Sequence, residues 1–104
     1  MSPQSMNVVG ATQLEIYQET VNDMVKAIQH NAHRFWRQTF LTDGPLEIWE
    51  INGVRFLSNG NHRFQAALLA DADIPKDFVI VVDKTHSNVP TFRFDQMVWL
   101  SGHK

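Results

Sequence analysis

The stretch Ser58-Asn59-Gly60-Asn61-His62-Arg63-Phe64-Gln65-Ala66-Ala67 constrains the fold more than any other, because a polar turn containing glycine joins an apolar run to a helix-forming one. Upstream, Ile48-Trp49-Glu50-Ile51-Asn52-Gly53-Val54-Arg55-Phe56-Leu57 divides at Asn52-Gly53. That dipeptide best tolerates the positive φ angles of a tight hairpin, so two antiparallel strands are expected on either side of it. Downstream, Phe64 to Ala72 is rich in Ala and Leu and reads as helix. Glycine at a strand-to-helix junction lets backbone N–H groups approach an anion. His62 and Arg63 fall in the first helical turn, where the helix dipole favours negative charge. These residues describe a place to hold a phosphate, with Asn59, Gly60, Asn61 and Arg63 as the binding set. The alternative is an ordinary helix N-terminus in which Arg63 pairs with an acidic neighbour and His62 caps or packs.

At 104 residues the chain suits one small domain with a modest core, expected over residues 8–104. Met1 to Asn7 is polar and is expected to be a flexible tail. A formal charge of −2 argues against coating nucleic acid through a broad basic face, and leaves room for an arginine cluster inside a pocket. The absence of cysteine removes disulfides, thiolate nucleophiles and thiolate zinc sites together. No apolar run approaches the length of a bilayer span, and the N-terminus lacks the plan of a secretory signal, so no membrane association is expected.

Val8-Val9-Gly10 reads as a short strand, and Thr12-Gln13-Leu14-Glu15 fits a capping box that would start a helix. Tyr17, Val21, Met24, Val25 and Ile28 then recur at helical spacing through about Gln29. From His30 to Phe40 a second helix is expected, interleaving basic and aromatic residues. Within it Arg34 and Arg37 can contact phosphate while Trp36 stacks on a base, or they can be surface charge over a buried Trp36. His30 and His33 lie three apart without a third ligand at motif spacing, so they are not expected to hold a metal. Phe78-Val79-Ile80-Val81-Val82 is a continuous apolar run typical of a buried strand. Thr91 to Asp95 alternates as a further strand, and Met97, Val98, Trp99 and Leu100 form a closing core-packing segment. The sum is an α+β domain: N-terminal helices, a small mixed sheet and a phosphate-binding strand-turn-helix.

The run from Gly44-Pro45-Leu46-Glu47-Ile48-Trp49 through Asn52-Gly53, Ser58-Asn59-Gly60-Asn61-His62-Arg63, Ala66-Ala67 and Ile74-Pro75 resembles the ParB/sulfiredoxin superfamily. The similarity covers about residues 12–82 in order of elements, and its specific part is Gly60-Asn61-His62-Arg63 followed by Ala66 or Ala67. The resemblance implies that Gly60, Asn61, His62 and Arg63 bind nucleotide phosphates or an equivalent anion. Asn61 stands where sulfiredoxins carry their catalytic cysteine, so sulfinate reduction is excluded. Partition proteins of the ParB kind bind and hydrolyse CTP and add a helix-turn-helix domain, for which 104 residues leave no room. Relatives that phosphorylate serine place an acidic residue where this chain has Asn59, which argues against kinase chemistry.

What remains by resemblance is a small ParB-like nuclease, or a ParB-like module from the C-terminus of a bacterial polymorphic toxin. The second would be part of a larger secreted protein, act in the cytoplasm and meet a cognate immunity protein, for which the segment Phe35 to Phe40 offers an aromatic surface. Residue chemistry fits phosphodiester hydrolysis. Arg63 can neutralise a phosphoryl oxygen bidentately, and His62 titrates near neutral pH as general acid or base. Glu50 or Glu47 on the adjacent strand is the expected carboxylate partner, orienting His62 or assisting Mg²⁺. Glu47 and Trp49 should share one strand face, Ile48 and Glu50 the other. The other destination for the same turn is a switch that binds CTP or ATP, or a phosphotransfer domain, without nuclease activity.

Overall fold

The computed structural model describes all 104 residues in the order β1 (Val8–Ala11), β2 (Glu15–Tyr17), α1 (Gln18–Asp43), β3 (Leu46–Ile51), β4 (Val54–Asn59), α2 (Asn61–Leu69), β5 (Val79–Asp83), β6 (Phe92–Arg93) and β7 (Val98–Leu100). Asn52 and Gly53 carry φ of 52° and 79°, the left-handed pair that a two-residue hairpin requires, and they join β3 and β4 antiparallel. Around this hairpin a five-stranded mixed sheet assembles in the order β5-β3-β4-β1-β6, with β5 parallel to β3 and β1 parallel to β4. The fold is α+β. No helix is long and apolar enough to cross a membrane.

One sheet face presents Ala11, Leu46, Ile48 and Leu57, all within 1 % of full burial, to the helices. Ala66 and Ala67 of α2 are fully buried, because their small side chains let the helix pack tightly. From Asn61 to Ala67 every residue of α2 is buried, so the helix that begins at the polar turn is the centre of the molecule. Glu47 pairs with Asn59 while Ile48 pairs with Leu57, which leaves Ser58 as a bulge next to the turn.

Two helices were expected before residue 41, and α1 is indeed interrupted: Asn31 takes extended angles (φ −160°, ψ 92°) inside it. Its Oδ1 accepts the Arg34 N–H at 3.1 Å and so caps the second half. A straight helix would separate Thr20 from Asp43 by about 35 Å. Both border one cleft, so the helix bends sharply at Asn31.

Four expectations need correction. Residues 1–7 are no loose tail: Pro3–Met6 form a 3₁₀ turn, Met6 is 2 % exposed, and the Met1 ammonium donates to the Ile74 carbonyl at 2.8 Å. Burial of Pro3 and Met6, three residues apart, holds the segment down. Thr12 to Glu15 does not cap a helix, because Glu15–Tyr17 is drawn into a two-stranded parallel sheet with β7. Strand β5 is an edge strand, with Ile80 and Val81 exposed, since the helices do not reach over it. Val98 and Trp99 are exposed on β7, and from that last segment Met97 packs against the core.

Candidate anion-binding site

Gly60 turns β4 into α2 with φ of 91°. A Cβ there would stand 3.0 Å from Nη2 of Arg63 and 3.2 Å from Cγ of Leu46. Glycine is therefore required both for its conformation and for the close approach of Arg63. The Phe64 N–H is the first to bond backward, to the Gly60 carbonyl at 2.9 Å. No side chain caps the helix, so the N–H groups of Asn61, His62 and Arg63 are left for another acceptor.

Arg63 is 3 % exposed. Its Nη1 donates to the Gly44 carbonyl at 2.9 Å and its Nη2 to the Pro45 carbonyl at 3.4 Å, which fixes the guanidinium against the turn between α1 and β3. Burial pulls its pKa below the ordinary arginine value, and the charge of Asp43 opposes that shift. No carboxylate oxygen approaches to ion-pair distance: the two ion pairs, Arg55–Glu50 and His103–Asp23, lie elsewhere. A buried cation thus borders the cleft with only neutral carbonyls as partners. That arrangement calls for an anion.

His62 is also buried. Its Nε2 accepts the Tyr17 N–H at 3.0 Å, which places the ring proton on Nδ1, and its ring stacks on Tyr17 with centroids 6.1 Å apart. Burial, and secondly the positive charge of Lys104, lower its pKa from 6.5. His62 is therefore a neutral imidazole whose basic nitrogen is already occupied. What it offers a ligand is the Nδ1–H donor.

The remaining expected phosphate ligands divide. Asn59 uses both amide protons on the carbonyls of Asp43 (3.0 Å) and Pro45 (2.9 Å), so its side chain is a strut for the turn rather than a phosphate donor. Asn61 is 4 % exposed; its Nδ2 meets Met97 Sδ at 3.3 Å and its Oδ1 accepts from Gln65 at 3.4 Å. What Asn61 leaves open at the turn is its backbone N–H.

Glu50 does not reach the turn. It pairs across the sheet with Arg55, four positions before Asn59, which is about 13 Å of strand, and its carboxylate accepts from Arg55 Nε at 3.0 Å. Glu47 stands opposite Asn59 and shares a face with Trp49 as expected, but its Oε1 accepts from Trp49 Nε1 (2.9 Å) and Ser58 Oγ (2.5 Å). Asp43 is the one carboxylate that lines the cleft. No group of three or more His, Cys, Asp or Glu side chains converges as a metal site.

The expected nucleic-acid contacts also lie elsewhere. Trp36 is 2 % exposed, edge-on to Phe35 with centroids 5.1 Å apart, and has no free face for a base. Arg34 and Arg37 are exposed on the second half of α1, outside the cleft lining. Phe40 stacks on Phe78 at 4.7 Å, so the aromatic segment packs inward rather than forming a partner surface.

The cleft itself, about 360 Å³, has one hydrophobic residue among the 11 that line it. Gln13, Thr20 and Lys104 belong to it and carry no local motif; they arrive through the pairing of β2 with β7. A smaller hollow of about 280 Å³, lined by Leu14, Glu15 and Tyr17, adjoins it and shares Gln13, His62 and Lys104. Comparison with protein-family models, with curated proteins and with solved structures found no match.

Proposed function

We propose that the chain is a phosphate-binding domain of the ParB/sulfiredoxin kind, whose Gly60-to-Arg63 turn takes the phosphate of a nucleotide. The carrying observation is the buried Arg63 guanidinium, without a carboxylate partner, beside three uncapped N–H groups at the start of α2. The polar lining and a volume within the range of small-ligand pockets support a phosphorylated small molecule. The element order of hairpin, glycine turn, helix and returning parallel strand supports the superfamily.

Binding is favoured over hydrolysis because the basic nitrogen of His62 is occupied and Glu50 is paired with Arg55 away from the turn. One observation favours the nuclease, and with it the toxin module, as a second reading. His62 lines the ligand's cleft, where its Nδ1–H could donate a hydrogen bond to charge developing on a phosphoryl oxygen. A divalent ion carried in on the phosphates would find Asp43 as its protein carboxylate.

The test is calorimetric titration of inorganic phosphate, CTP and ATP into wild type and Arg63→Lys, beside incubation with plasmid DNA and total RNA with and without Mg²⁺. Binding by wild type, weakened about tenfold in Arg63→Lys because the fork is lost, supports the reading. Cleavage that depends on Arg63 moves the function to the nuclease. Failure of wild type to bind any phosphate compound overturns both.

A further inference from the structure

We propose that the segment after β7 is a strap that carries Lys104 into the cleft as a second phosphate-binding cation, acting with Arg63; this rests on the phosphate-binding reading. The strap is tied residue by residue to the start of α1. The Gly102 carbonyl accepts the Glu19 N–H at 3.0 Å, His103 Nε2 meets Asp23 Oδ2 at 2.8 Å, and the Lys104 N–H donates to Thr20 Oγ1 at 2.9 Å. Strand β7, paired with β2, sets the direction from which the strap comes.

Thr20 is itself a cleft residue, so this bond holds the Lys104 backbone at the edge of the cleft that Lys104 lines. Lys104 lines both hollows, on the sill that it shares with Gln13 and His62. Asp23, the acidic residue bound to the strap, is engaged by His103, and no carboxylate pairs with Lys104. Arg63 is fixed at Gly44 and Pro45, after the C-terminus of α1, whereas Lys104 is fixed near its N-terminus. The bend at Asn31 brings both ends of α1 to one cleft.

Arg63 and Lys104, neither of them in an ion pair, meet the Asp43 carboxylate in the lining of that cleft, and Glu15 lies in the adjoining hollow. A phosphate held there would draw on both cations. Arg63 supplies the planar fork, and Lys104 supplies a mobile point charge that can follow a second phosphate.

The experiment titrates inorganic phosphate and CTP into wild type, Lys104→Gln, Lys104→Arg and Arg63→Lys, with the His62 ring followed by NMR in each. Lys104→Gln should bind about tenfold more weakly and with less salt dependence, and Lys104→Arg should restore most of the affinity. The His62 titration point should rise in Lys104→Gln, because a neighbouring positive charge is gone. Unchanged affinity in Lys104→Gln, with Arg63→Lys impaired, overturns the strap and leaves the phosphate reading intact. Equal losses in Lys104→Gln and Lys104→Arg overturn the charge role in favour of packing. No binding by wild type overturns both readings.

Discussion

The N–H of Tyr17, the residue before α1, donates to Nε2 of His62 in the first turn of α2, at 3.0 Å. This bond spans 45 positions of sequence and ties the helix that bears the cleft to the small β2–β7 sheet beside it. It exists only while His62 is neutral at Nε2.

Stability should therefore depend on pH through His62. Its folded pKa lies below the ordinary 6.5, so the folded state disfavours the protonated ring. The stabilisation is present above about pH 6.5 and is lost as the pH falls from there through the folded pKa. Thermal midpoints measured at steps from pH 8 to pH 5 should hold steady and then drop. His62→Gln, whose amide oxygen can accept the same N–H, should flatten the drop; an unchanged profile would assign it to other groups.

Arg63 does structural work that its motif does not disclose. Arg63→Ala removes the donors to the Gly44 and Pro45 carbonyls and opens a void under Gly60. A loss of about 2–4 kcal/mol is expected in urea unfolding, because half-buried carbonyls lose a charged donor and a long side chain leaves the interior. Arg63→Lys should lose less stability, so it is the better variant for binding work. Equal midpoints for wild type and Arg63→Ala would mean that the turn stands without its clamp.

The local half of the fold was legible. The hairpin at Asn52-Gly53, the glycine turn and the break near Asn31 follow from side chains adjacent in sequence, so propensity and turn chemistry suffice. The pairing of Glu15–Tyr17 with Val98–Leu100 joins segments at opposite ends of the chain, and no periodicity reveals such a contact. That pairing turned an expected helix start into a strand, brought Lys104 to the cleft and placed Tyr17 in the adjoining hollow, against His62. Glu50 was misplaced for a related reason: parity gives a strand face, whereas distance to the turn depends on position along the strand.

Trp36 distinguishes a stacking platform from a core residue. Its ring is buried and its Nε1 has no hydrogen-bond partner. Trp36→Phe removes an unsatisfied N–H along with some volume, and the two effects oppose each other, so stability should change by less than about 1.5 kcal/mol. Trp36→Ala should lose about 3–5 kcal/mol by leaving a cavity. Phosphate and nucleotide affinity, measured calorimetrically on Trp36→Phe, should match wild type. A selective loss of nucleic-acid binding in that variant would restore the stacking role.

Gly60 and Gly53 offer a matched pair, since φ is 91° and 79° respectively and a side chain strains both backbones. Only Gly60 has close neighbours: a Cβ at Gly53 meets nothing within 4 Å, whereas at Gly60 it meets the Arg63 guanidinium and Leu46. Gly53→Ala should therefore lose about 1 kcal/mol from backbone strain alone and leave affinity intact. Gly60→Ala adds steric displacement of Arg63 to the same strain, with a total loss of about 2–4 kcal/mol and a weaker grip on phosphate. Urea midpoints and phosphate titrations of the two variants separate the terms. If Gly60→Ala bound phosphate as tightly as Gly53→Ala, the guanidinium would not be the group that holds the anion.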